Sequence, residues 1–69
     1  MLVKYKYPEI IGELRKKAES KQYLADFLGI NISTLIKKLS GKTQWNIGEI
    51  DKICEHFGKD YYELFKRED

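Results

Sequence analysis

An all-α protein, a compact bundle of about five short helices, is what this sequence predicts, and three observations predict it. Helix-start and helix-stop residues alternate at close intervals along the chain. Between them, apolar residues recur at spacings of three and four. Only the stretch Leu2-Val3-Lys4-Tyr5-Lys6-Tyr7 alternates with the period of two that a strand needs, and no second such run is there to pair with it. At 69 residues the chain has material for one hydrophobic core, so neither a second domain nor a large enclosed substrate pocket is expected.

The elements follow in order. Pro8 suits the first turn of a helix, because the N–H it lacks is one the helix leaves unpaired anyway. Ile10, Ile11, Leu14 and Ala18 repeat at helical spacing with Arg15, Lys16 and Lys17 facing elsewhere, which predicts a first helix over roughly 8 to 18. Ser20 caps a second, with the stripe Leu24, Ala25 and Leu28, and Gly29 ends it in the left-handed conformation. Asn31 caps a third, with Ile30 and Leu35 at the hydrophobic-staple positions, and it runs to about Leu39 before Ser40-Gly41 stops it. Asn46 and Glu49 spell a capping box, flanked by Trp45 and Ile50 as a staple, for a fourth helix over about 47 to 57 that Gly58 closes. Asp60 with Glu63 repeats the pattern ahead of a last short helix holding Leu64 and Phe65. The domain is thus expected over residues 8 to 66, preceded by an arm of residues 1 to 7. For that arm an edge strand, a flexible basic extension, an intermolecular contact and disorder are all open.

Composition narrows the class. With 42% apolar and 35% charged residues the chain has the makeup of a folded globular protein. No apolar run approaches the ~18 residues that span a bilayer, and the first residues lack the apolar core of a signal peptide, so a cytoplasmic protein without a membrane partner is expected. The lone Cys54 has no partner for an internal disulfide, and with His56 the only histidine there is no zinc-ligand spacing, so no metal or cofactor is expected. Both sit in a helical stretch, where a buried structural cysteine is the plain reading, and neither is given a chemical role. No nucleophile with a base, no phosphate-cradling glycine loop and no carboxylate pair stands out, so neither an enzyme nor a small-molecule substrate is expected.

Charge is informative through its distribution. The net charge is only +2, yet residues 1 to 45 hold nine basic and four acidic side chains and the remainder four and seven. Between Asp26 and Glu49 there is no acidic residue, and Lys37, Lys38 and Lys42 lie in that interval. A basic face in mid-chain, or simply a solvated one, accounts for it.

The segment Ser20 to Leu35 places two short helices around a glycine-containing turn, the helix-turn-helix layout. Leu24-Ala25, Leu28-Gly29-Ile30, Ser33-Thr34-Leu35 and Lys38-Leu39-Ser40-Gly41-Lys42, with Ile53, Phe57 and Tyr62 to Phe65 beyond, resemble the phage repressor and Cro-like domains of the XRE family over about residues 8 to 65. The resemblance implies a lambda-repressor-like fold and a transcriptional regulator that binds double-stranded DNA. The operator is expected to be two-fold symmetric, read by a homodimer whose half-sites lie about one helical turn apart. Two departures stand out. Where the family places a phosphate-contacting Gln at the start of helix 2, this chain has Lys21 with Gln22 next. Lys38 and Leu39 stand where many members have an apolar residue and Glu, which implies a slightly rotated third helix.

Helical geometry gives the face independently. Successive residues are about 100° apart, so Leu35 and Leu39 mark the buried side of helix 3, while Ser33, Ile36 and Lys37 point away from it. In a helix-turn-helix that outward face enters the major groove. Lys37 is suited to guanine O6 or N7, Ser33 to any base and Ile36 to a thymine methyl, while Ile32 stands between core and base contact. Phosphate positioning falls to Lys21, Gln22, Asn31, Lys38, Lys42 and Thr43. Tyr5, Tyr7, Tyr61 and Tyr62 are more than so small a core can bury, so some are expected at a subunit interface. The competing reading is a protein-interaction module on the same fold, of antirepressor or antitoxin type, with Ile32 and Ile36 docking a partner.

Overall fold

Four of the helices begin where a capping side chain accepts from their first backbone N–H groups, and the one that opens at Pro8 has no side-chain cap. The computed structural model describes residues 4 to 68, and residues 1 to 3 of the expected arm lie outside the described residues. The helices are α1 (Pro8–Lys16), α2 (Lys21–Leu28), α3 (Ile32–Leu39), α4 (Ile47–Phe57) and α5 (Tyr61–Leu64). Ser20 Oγ accepts from Tyr23 N at 3.0 Å, Asn31 Oδ1 from Thr34 N at 2.8 Å and Asp60 Oδ1 from Glu63 N at 2.9 Å. At α4 the capping box is complete, with Asn46 Oδ1 accepting from Glu49 N and Glu49 Oε1 accepting from Asn46 N. Only the Asp60 half of the second box forms among the described residues. Gly29 and Gly58 end α2 and α4 with φ of 73° and 66°, the left-handed region that a glycine enters without a Cβ clash.

One core joins all the helices. Ile10 of α1, Leu24 of α2, Leu35 and Leu39 of α3, Ile53 of α4 and Leu64 of α5 are the large side chains with no remaining exposure. Each contributes about 1.5–3 kcal/mol by leaving water. Helices α2 and α3 pack on each other, and α5 closes the bundle against α1 and α4. No helix among the described residues is long and apolar enough to cross a membrane.

Two expectations are corrected. Helix α1 ends at Lys16, not near 18, and Ala18 is an exposed left-handed residue with φ 55°, not a core position. The chain must reverse there to deliver Ser20 to the start of α2, and Glu19 N donates back to Leu14 O at 2.9 Å to close the turn. Apolar periodicity counts Ala18 as another buried step because it carries no information on where the backbone turns. The second correction concerns the arm, whose last residues belong to the fold. Lys6 N donates to Leu39 O and Lys6 O accepts from Glu68 N, both at 2.8 Å. Tyr7 is buried, edge-on to Trp45 and Phe65 at 5.9 and 6.0 Å. Tyr5 is half-buried, and Tyr61 and Tyr62 remain exposed.

Charge supports the packing of α1 on the α4–α5 turn. Glu13 Oε2 lies 3.0 Å from Lys59 Nζ and 3.2 Å from Lys16 Nζ. The Lys59 ammonium first, and then that of Lys16, hold the Glu13 carboxyl below its ordinary 4.5. A depressed carboxyl stabilises the fold above its unfolded pKa, and that contribution disappears as pH falls through the folded value. The difference in urea midpoint between the protein and Glu13→Gln is therefore full at pH 7 and closes as the pH is lowered below about 4. At Ala18 the left-handed backbone is strained for any residue with a Cβ, so Ala18→Gly raises unfolding stability by about 0.5–1 kcal/mol after the entropic cost of glycine, measured by chemical denaturation.

Candidate nucleic-acid interface

The two helices of the motif are rigidly joined. Gly29 turns the chain, Ile30 N donates to Ala25 O at 3.0 Å, and Ile30 packs on the core immediately before the Asn31 cap. Leu35 and Leu39 fix the back of α3, which leaves the opposite face to solvent. Ser33 and Lys37 are exposed there, as their spacing predicts. Ile36, expected to stand outward, is half-buried, and Ile32 is half-buried with its side chain packed against the core. Of the four residues expected to read bases, Ser33 and Lys37 are thus fully presented, Ile36 partly, and Ile32 is held by the core.

Beyond α3 the backbone folds over its own last turn. Lys42 N and Thr43 N donate to Lys37 O at 2.9 and 3.3 Å, and Ser40 Oγ donates to the same oxygen at 3.1 Å. That convergence fixes Lys42 and Thr43, both exposed, beside the carboxyl end of α3. At the other side of the motif, Gln22 is exposed and its amide donates to Asp26 Oδ1 at 3.0 Å, while Lys21 is half-buried with its ammonium 5.1 Å above the Tyr5 ring. Asn31 uses its side-chain oxygen for the cap and keeps its amide N–H₂ outward as a donor.

Lys38 is a correction. Expected at a phosphate, it is 7% exposed, and its ammonium donates to Glu49 Oε1 at 2.8 Å and to Gln44 O at 3.0 Å. No rotation of α3 is needed to accommodate the exchange from the family pattern, because Lys38 and Leu39 are both buried. The lysine occupies an apolar position by burying its stem and pairing its charge. The partner, Glu49, lies eleven residues on in another helix, a pairing that neither helical spacing nor charge runs reveal.

The electrostatic consequence is direct. With Glu49 buried against Lys38, the interval from Ile32 to Gly48 presents no exposed carboxylate, and among the described residues neither Lys37 nor Lys42 has an ion-pair partner. A polyanion meets a face with uncompensated positive charge and hydroxyl donors.

Helix α2 carries a feature that periodicity passed over. Tyr23 and Phe27 are exposed and gather around the half-buried His56 at 6.0 and 4.9 Å, while His56 Nε2 lies 2.8 Å from Glu19 Oε1. Their separation of four on α2 was the available signal. Cys54 is half-buried against the core, and burial first, then Asp51 and Asp60, push its thiol above the ordinary 9.0, away from thiolate reactivity.

Among the described residues, five helices around one core, with α2 and α3 joined by a glycine turn and α3 presenting a polar, basic face, define a small helical domain of the helix-turn-helix kind. The chain belongs to the BetR domain family, whose model matches residues 11–69. No curated protein and no solved structure matches the chain significantly.

Removing one partner of the buried pair leaves the other charge stranded. Lys38→Ala therefore lowers unfolding stability by about 3 kcal/mol, and the double variant Lys38→Met/Glu49→Gln, which keeps a neutral capping box, recovers most of it in denaturant titrations. No recovery in the double variant would mean that packing and not charge dominates the site.

Proposed function

We propose that this domain is a sequence-specific double-stranded DNA-binding transcriptional regulator of the Cro-like phage or prophage repressor type. In this reading it is cytoplasmic and acts as a homodimer on a two-fold symmetric operator, with α3 in the major groove. The observation that carries the reading is α3 and its following turn, which have no carboxylate from Ile32 to Gly48, where Ser33, Lys37, Lys42 and Thr43 are exposed and where among the described residues the two lysines have no ion-pair partner. Membership of the BetR domain family supports the coarser part of it, a small helical regulatory domain. Lys37 and Ser33 read base edges, Ile36 offers its exposed part to a thymine methyl, and Lys21, Gln22, Asn31, Lys42 and Thr43 fix the backbone. The protein-docking alternative loses support from the packing of Ile32 on the core and the partial burial of Ile36, which leave α3 without a broad apolar surface.

The reading includes no catalysis. His56 is engaged by Glu19 and packed among aromatic rings in tilted and edge contacts, and burial pushes the Cys54 thiol up, away from thiolate, so neither is poised as a base or nucleophile.

Selection from random duplex DNA at ~150 mM salt, where distant charges are screened, tests the proposal. Enrichment of a two-fold symmetric site is expected, and a folded protein that enriches nothing overturns it. Two substitutions then separate the roles. Lys37→Ala relaxes preference at one base pair of each half-site and costs about 1–3 kcal/mol on the operator. Lys42→Ala weakens binding to every sequence alike and makes the slope of log affinity against log salt shallower by about 0.9.

A further inference from the structure

We infer that Lys4 and Lys6 bind the DNA backbone, joining Lys21 and Lys42 into one basic strip that crosses from the start of α2 to the turn after α3. The inference rests on the DNA-binding reading above and adds to it a surface that the helix-turn-helix itself does not contain. Four observations place the strip. The Tyr5 ring lies under the Lys21 ammonium at 5.1 Å, so the N-terminal segment runs alongside the start of α2. One residue later, Lys6 N donates to Leu39 O at 2.8 Å, which brings the same segment to the carboxyl end of α3. The Lys6 stem then crosses the turn at Gly41. A Cβ there would stand 3.1 Å from Lys6 Cγ and 2.8 Å from a guanidinium nitrogen of Arg67, and the backbone has φ +82°. Glycine at this position lets two basic side chains lie directly against the residue that precedes Lys42. Finally, among the described residues Lys4, Lys6, Lys21 and Lys42 have no ion-pair partner.

The anchoring is what distinguishes this segment from a solvated basic tail. Both peptide groups of Lys6 are engaged, by Leu39 O on one side and by Glu68 N on the other, and the neighbouring Tyr7 ring is buried. A cation held in place loses less freedom on binding than one on a loose arm, so more of its Coulomb attraction appears as affinity. Among the described residues Glu68, whose side chain is exposed, is an acidic neighbour that this backbone contact brings alongside Lys6.

Phosphate contacts are counted by salt dependence, since each neutralised phosphate adds about 0.9 to the slope of log affinity against log salt. The full chain and its Lys4→Ala/Lys6→Ala double variant are titrated with a duplex of random sequence and with the selected operator, between 50 and 200 mM salt. The double variant should have a slope shallower by about 1.8 on both duplexes, so that its loss of affinity over that range is about 12-fold smaller, with base preference unchanged. Lys52→Ala on α4 is the control and keeps the original slope. Thermal melting confirms that the variants are folded, and Lys4→Gln/Lys6→Gln replaces the alanine pair if they are not. An unchanged slope in the folded double variant overturns this inference while leaving the function intact. A wild-type chain without affinity for either duplex overturns the DNA-binding reading itself.

Discussion

The ion pair between Lys38 and Glu49 is the interaction on which the arrangement of α3 and its exposed face depends. Lys38 belongs to α3 and Glu49 to the first turn of α4, and their contact at 2.8 Å joins the back of α3 to the start of the next helix. Glu49 Oε1 also accepts from Asn46 N, and Lys38 Nζ also donates to Gln44 O, so one pair of charges fixes the connecting loop as well as both helices. Taking two charges out of water is costly, and hydrogen bonds to the loop and cap offset part of that cost. What the pair provides is a definite orientation. Were α3 to roll on the core, the lysine and glutamate would part in a medium that solvates neither.

That orientation has an electrostatic result. The same contact withdraws a carboxylate and a lysine together from the surface that carries Lys37 and Lys42. The face that remains has fewer cations than the sequence displays, but among the described residues they have no ion-pair partner, and they are held on backbone that is itself hydrogen-bonded. Lys37 O alone accepts from three donors of the following turn. In direct readout of base edges the position of a donor matters more than the number of charges, whereas phosphate attraction follows the charge.

The two ends of the chain complete the frame. Lys6 is hydrogen-bonded between Leu39 and Glu68, and the rings of Tyr7, Trp45 and Phe65 meet edge-on over the loop that leads into α4. Among the described residues the Trp45 Nε1 donor is buried there without a hydrogen-bond partner. Segments at either end of the sequence thereby hold the carboxyl end of α3, the part of the motif that its own turn does not reach.

Local chemistry made much of this legible in the sequence. Caps act over three residues and glycine acts on its own backbone, so Ser20, Asn31, Asn46 and Asp60 announce the starts of α2 to α5, and Gly29 and Gly58 the ends of α2 and α4, without reference to the fold. The outward places of Ser33 and Lys37 follow from the same local rule, a fixed 100° per residue measured from Leu35 and Leu39. The tertiary structure alone decided the fate of Lys38, the depth of Ile32 and Ile36, the reversal at Ala18 and the docking of Lys6 and Tyr7. Each of these depends on a partner distant in sequence or on the direction in which the chain must next travel. A lysine reads as exposed until another helix brings a buried carboxylate to within 2.8 Å of it, and no periodicity within one helix carries that distance.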